Sequence, residues 1–309
     1  MTPAILTAVL FAFSAVFSRR AARIFGSLEA NFFRLTGACI LLGIITWAAF
    51  PGTVHRELFW WFFLSGIIGF GLGDVGLFLA YPRLGSRLTL LLTFCIGPLA
   101  GALGDWWWLA RAMRAAEGAA VVVILAGLAV TILARKSEKR HGSLAAGISF
   151  GMLSALGMGF GTALSNVAIA KARTLSLEIP GISQAWQRST AGLLVAGLVL
   201  GQVILTEKFV KRYAGARETK PRPSRMSGCM KTFWLTGTML FGPVLGVSCY
   251  QWAIAETGSS AIVLAVAATS TLIVIPLARV VEGDRPSVRQ LGGTLIATAG
   301  VVWLALLRR

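Results

Sequence analysis

The sequence predicts an all-α, polytopic integral membrane protein with ten transmembrane helices in two inverted five-helix repeats. Three observations carry that prediction. The 309 residues are 56% hydrophobic and only 13% charged, with a mean hydropathy of +0.76, whereas soluble domains carry roughly 25% charged residues. Apolar runs recur ten times along the chain, most of them near the roughly 20 residues that cross a bilayer. The two halves of the chain also register on each other.

The runs fall in order. The first, 4–18, has no basic residue ahead of it and meets Arg19 and Arg20 where a small-residue cleavage site would stand, so a span is expected rather than a cleaved signal peptide. Runs 30–50 and 58–80 follow, the latter opening on Trp60 and Trp61 and continuing into the glycine-rich GIIGFGLGDVG. The fourth, 87–104, contains Pro98 and leads to Trp106, Trp107 and Trp108. Helix parity puts both tryptophan clusters on one side of the membrane, as an interfacial belt. The first and fourth runs are short for full spans, a mismatch a bilayer tolerates. The fifth run is 115–134. A polar stretch, 135–142, then separates it from runs 143–165, 182–205, 232–255, 259–280 and 288–307. The expected organisation is a first repeat at 1–134, a cytoplasmic linker at 135–142 and a second repeat at 143–309.

An odd number of helices per half inverts the second copy relative to the first. At an offset of 173, Gly69, Gly73, Gly85 and Gly127 fall on Gly242, Gly246, Gly258 and Gly300. Upstream, Arg34 and Thr36 fall on Arg188 and Thr190 at an offset of 154. The offsets differ by 173 − 154 = 19, which is the excess of the 26-residue connection 206–231 over the 7-residue connection 51–57.

The net charge of +17 would suggest a nucleic-acid partner in a soluble protein, but here the basic residues lie mostly between apolar runs and serve as a topology signal. They concentrate in connections after the odd-numbered helices, which predicts both termini outside in a bacterial-type inner or plasma membrane. The inserted loop 206–231 holds eight basic residues and is expected to be a solvated cytoplasmic segment able to touch anionic headgroups. Two histidines, His55 and His141, lie in connections, and the four cysteines form no Cys-x-x-Cys pair. No metal, cofactor or redox chemistry is expected. A phosphate-binding Gly-x-x-x-x-Gly-Lys loop is missing from the sequence, and no Ser-His-Asp set can be placed in the membrane, so an enzyme or ATP-driven pump is not predicted.

The glycine-rich third and eighth helices (GIIGFGLGDVGLFLA and FGPVLGVSCYQWAIA), the helix starts Gly85-Ser86 and Gly258-Ser259, and the turn Gly283-Asp284-Arg285-Pro286 followed by Gly292 and Gly300 together resemble the EamA branch of the drug/metabolite transporter superfamily. Two positions depart from the pattern: Ala110-Arg111-Ala112 stands where the first half would repeat that turn, and Thr271 replaces a proline whose first-half counterpart, Pro98, is kept. The resemblance implies a solute carrier with a central cavity between repeats, exporting amino acids or other small metabolites, and the expected function is secondary transport of a small polar or zwitterionic metabolite such as an amino acid by alternating access around a midplane cavity.

Asp74 is the leading candidate site residue, because an ionisable group inside a span is expensive and faces a cavity or a partner. Its repeat counterpart is Val247. It reads either as a proton acceptor or amine counter-ion, or as a salt bridge to Arg34 or Arg188. Gln184, Gln187 and Arg188 at i, i+3 and i+4 share a helix face that could line a solute pathway, with Arg188 pairing a substrate carboxylate; the alternative is snorkelling to the interface by Arg188 and Arg34. Asn166, Tyr250 and Trp252 are further cavity candidates. Arg83 and Glu256, mutual repeat counterparts, are candidate gate contacts, as is Arg34. The alternative functions are lipid binding or processing through the 206–231 loop, and intramembrane proteolysis from Gly71-Leu72-Gly73-Asp74, which requires a second aspartate on a facing helix, Asp105 or Asp284.

Overall fold

In the computed structural model, residues 2–109, 115–134, 143–214, 227–257 and 260–307 are described. They form ten helical segments and, among the described residues, no strand. In chain order these are α1 (Thr2–Phe25), α2 (Ser27–Ala49), α3 (Arg56–Leu84), α4 (Ser86–Leu109), α5 (Ala115–Leu133), α6 (Leu144–Thr174), α7 (Gly181–Ala214), α8 (Gly228–Glu256), α9 in two pieces (Ser260–Ala268 and Ser270–Glu282) and α10 (Val288–Leu307). By length and composition α1 to α8 can each cross a membrane, and α10 contains the shorter apolar stretch Val288–Leu304.

Two expectations are corrected. The first and fourth helices are full spans of 24 residues each, because the helix continues through Arg19, Arg20 and Arg23 at one end and through the tryptophans at the other. α7 runs on to Ala214 and takes in the start of the basic connection. The rest of that connection up to Met226, the 135–142 linker and Gly258-Ser259 lie outside the described residues.

α3 and α8 share an irregularity that hydropathy does not reveal. Each opens from α into π geometry in mid-helix, at Ile67–Gly73 in α3 and Leu240–Val244 in α8, starting 240 − 67 = 173 residues apart. Glycines at 66, 69, 71 and 73 loosen the first, and Pro243 withdraws a backbone donor in the second; both weaken the i→i−4 ladder that would hold an α-helix. Contacts between helices also pair off. α1 packs on α8 as α6 packs on α3, α1 meets α9 as α6 meets α4, and α2–α7 and α5–α10 each pair with their own counterpart.

Glycine-lined faces let backbones approach without hydrophobic driving force, as membrane packing requires. A Cβ at Gly157 of α6 would stand 2.6 Å from the Gly73 Cα of α3, and one at Gly127 of α5 would stand 2.7 Å from the Gly293 carbonyl of α10. Between helices the chain turns through Gly85 (φ 87°) and Gly283 (φ 70°), a region in which an L side chain is strained. The interior is filled by side chains such as Leu35, Phe62, Phe78 and Leu91, while Ile40, Leu198, Val280 and Leu295 face outward, an apolar exterior suited to lipid.

Candidate functional site

The packing leaves a central cavity of about 80 Å³, lined from α1 to α4 and α6 to α8, room for a few waters or a small solute. Its charged lining groups are Arg34 of α2, Asp74 of α3 and Arg188 of α7. Aromatic and apolar side chains make up much of the wall. Phe11 stacks on Phe94 at 5.5 Å between centroids and tilts against Tyr250 at 6.0 Å. The Tyr250 hydroxyl meets Thr162 Oγ1 at 3.0 Å, and Thr93 Oγ1 donates to Ser154 Oγ at 3.2 Å.

Asp74 follows the π segment directly and is ion-paired with Arg34 Nη2. The same nitrogen donates to Asn31 Oδ1 at 3.1 Å, and the guanidinium lies 4.8 Å from the Phe78 ring centroid. The aspartate is thus the helix-to-helix bridge that the sequence offered as an alternative, and it also lines the cavity. Arg34 is 3% exposed and Arg188 4%, so neither snorkels to an interface. That expectation is corrected, because each guanidinium is folded over an aromatic face, Arg188 lying 5.1 Å from the Phe70 centroid.

The two arginines occupy equivalent niches on the repeat register. A Cβ at Gly69 would stand 2.9 Å from Arg188 Nη2, and one at its counterpart Gly242 would stand 3.0 Å from Arg34 Nη1. Absence of a side chain at each glycine makes space for the arginine. The equivalence ends at the acid. Among the described residues no carboxylate stands within ion-pair distance of Arg188; its buried Nε, like that of Arg34, has no hydrogen-bond partner.

The remaining sequence candidates separate. Gln184 and Gln187 are buried beside Arg188, but their amides donate backwards, to the Ile179 carbonyl just ahead of the helix at 2.7 Å and to the Ser183 carbonyl in its first turn at 3.2 Å. They do not line the cavity, because three residues at i, i+3 and i+4 spread over a wide arc and only Arg188 points inward. Trp252 is 52% exposed and, with Gln184 and Glu256, borders a second pocket of about 390 Å³ at the ends of α6 and α8. Asn166 is half-buried and absent from both linings. Arg83 bonds the Leu79 carbonyl of its own helix and stacks 5.0 Å from Phe150; Arg83 and Glu256 belong to different ends of the molecule. Tyr250 joins the cavity as expected. The side chain of Asp105 lies outside the described residues, and Asp284 is bound to Arg87 at 2.9 Å away from Asp74.

One feature escaped sequence reasoning. Where α1, α3 and α9 end and α4 and α10 begin, Arg19 pairs with Glu282, and Arg87 reaches Asp284 and, at 3.3 Å, Gln290 Oε1. At the opposite end the ties include Thr53 to Ser183 at 2.9 Å, Arg173 to the Ala255 carbonyl at 2.6 Å, and Lys171 at 4.4 Å from the Trp61 centroid. The cavity lies between an ion-paired end and an end held by hydroxyl, carbonyl and ring contacts.

Residues 2–133 match the model of the EamA-like transporter family. A protein of known crystal structure is similar in fold, with a TM-score of 0.55 and 17% identity over 97% of this chain and 96% of that one. No curated protein matches the chain in sequence.

Proposed function

Given that the chain belongs, through residues 2–133, to the EamA-like transporter family of the drug/metabolite transporter superfamily, we propose that this integral membrane transporter is a secondary carrier that exports a small metabolite by alternating access. The solute site is the central cavity. Its position among α1 to α4 and α6 to α8, with ionisable groups from both halves of the chain, is the observation that supports the reading, since carriers built from inverted repeats bind solute at the repeat interface near the bilayer midplane.

In this reading residues 1–134 and 143–309 are the two repeats. Rocking of one against the other opens first one end and then the other. Ion pairs at the Glu282 and Asp284 end, and the hydroxyl and carbonyl ties at the other, are contacts that such a motion would break in turn. With both termini outside, the ion-paired end faces the cytoplasm.

Counterflow in proteoliposomes tests the proposal: labelled amino acids, organic acids, nucleosides and sugars are offered outside to vesicles loaded with the same unlabelled solute. One chemical class is expected to exchange saturably, and Ser14→Trp, which puts a large ring into the cavity wall, is expected to stop it in protein that still purifies as a single species. Exchange that survives this plug would move the solute path elsewhere. Failure of every soluble compound, with thermal stabilisation by a lipid alone, would replace the carrier reading by a lipid-binding one.

A further inference from the structure

Resting on the carrier reading, we infer that the transported solute is an organic monoanion with an apolar or aromatic body and no ammonium group. Three observations carry this. Two guanidiniums against one carboxylate leave the lining of the cavity with a net charge of +1. Asp74, the group that would have received a substrate amine, is in direct ion pair with Arg34 and shares its remaining field with Arg188 beyond ion-pair distance. Arg188 is 4% exposed, faces the cavity and has a buried Nε without a partner.

A buried cation without a counter-ion is costly, and an anion delivered by the solute offsets that cost. Guanidinium presents planar, paired donors that fit a carboxylate in two-point contact better than any neutral group in the wall does. A solute that also carried an ammonium would have to strip Asp74 from Arg34, or leave its own charge unpaired in an apolar chamber. Around the arginine the wall is aromatic, formed by Phe11, Phe70, Phe94 and Tyr250, which suits a ring or branched body over a sugar or a polyol.

Three probes share one phenylethyl body and differ in the head: 3-phenylpropionate, phenylalanine and phenethylamine. Offered in the counterflow assay, 3-phenylpropionate should exchange at least tenfold better than phenylalanine, and phenethylamine should not exchange. Arg188→Gln should reduce 3-phenylpropionate exchange at least tenfold, and Arg188→Lys should keep more of it than Arg188→Gln does. Should Arg188→Gln not fold, Val247→Asp is the second variant: it places a carboxylate at the repeat counterpart of Asp74, supplies Arg188 with an internal partner, and should cause the same loss. Preferred exchange of phenylalanine or phenethylamine overturns the inference while leaving the carrier reading intact. So does 3-phenylpropionate exchange that ignores both variants. If none of the three moves but another solute of the panel does, an anion without an amine upholds the inference and any other charge type overturns it. If nothing moves through folded protein, both readings fall together.

Discussion

Arg34 and Arg188 hold corresponding places in the two halves of the chain, and their surroundings match until the acid is reached. Each is buried, each lies over a phenylalanine of α3, and each has a glycine from the opposite half beside its guanidinium. Arg34 has Asp74; Arg188 has, at the corresponding position, Val247. One arginine is therefore neutralised by direct contact, and the other feels the same Asp74 only from beyond ion-pair distance. A single carboxylate, present at 74 and replaced by valine at 247, makes the cavity wall electrostatically asymmetric.

That contrast can be broken most strongly on the paired side. Arg34→Ala leaves the Asp74 carboxylate buried without its partner and should cost about 3–5 kcal/mol, read as loss of cooperative unfolding or of monodisperse protein in detergent; the Arg34→Ala, Asp74→Ala double variant should recover most of it. A double variant no more stable than the single one would mean that the pair is not the unit that matters.

A sharper comparison uses the two glycines. Gly242→Ala pushes a methyl against Arg34, whose guanidinium is pinned by Asp74 and Asn31, and should destabilise by about 1–3 kcal/mol as an overpacked site does. Gly69→Ala makes the same intrusion on Arg188, whose guanidinium borders the cavity with no ion pair to pin it, and should cost less than about 1 kcal/mol. Thermal unfolding of the two variants side by side decides it, and equal costs would show that Arg188 is held as firmly as Arg34.

The smallest loss of stability is expected at Arg188 itself. Removing a buried charge that has no ion-pair partner relieves its desolvation cost and should leave stability unchanged or raise it, by up to about 4 kcal/mol, even where transport is lost. A loss as large as that of Arg34→Ala would identify an ion pair that this conformation does not display.

The helices and their register were readable from sequence because both rest on quantities written along the chain: hydropathy over about 20 residues, and glycines repeated at a fixed offset. The pairing of Asp74 with Arg34 was readable only as one of several possibilities, since an acid in a span announces a partner without naming it. The closing network was not readable. Arg19 and Glu282 are 263 residues apart, and each looks like an ordinary charge at a helix end until α1 and α9 are packed together. Gln184 and Gln187 misled for a related reason: a shared helix face is a coarse arc, and a glutamine near a helix start can turn its amide N–H back onto the carbonyls behind it. The π segments left no trace in hydropathy, because the glycines and Pro243 that loosen the helix leave the run as apolar as before.

Those π segments act as angular offsets. An added residue in a helical turn rotates everything beyond it by about 100° relative to an uninterrupted α-helix. Asp74, Leu77 and Tyr81 come after the first segment, and Val247 and Tyr250 after the second; all five line the cavity. Without the added residue the same helix, with the same composition, would aim its aspartate at a different neighbour. The loosened turn thus works as a dial that sets which stripe of α3 and which stripe of α8 faces the cavity, and deletion or insertion of a single residue there would re-index both stripes of the wall at once.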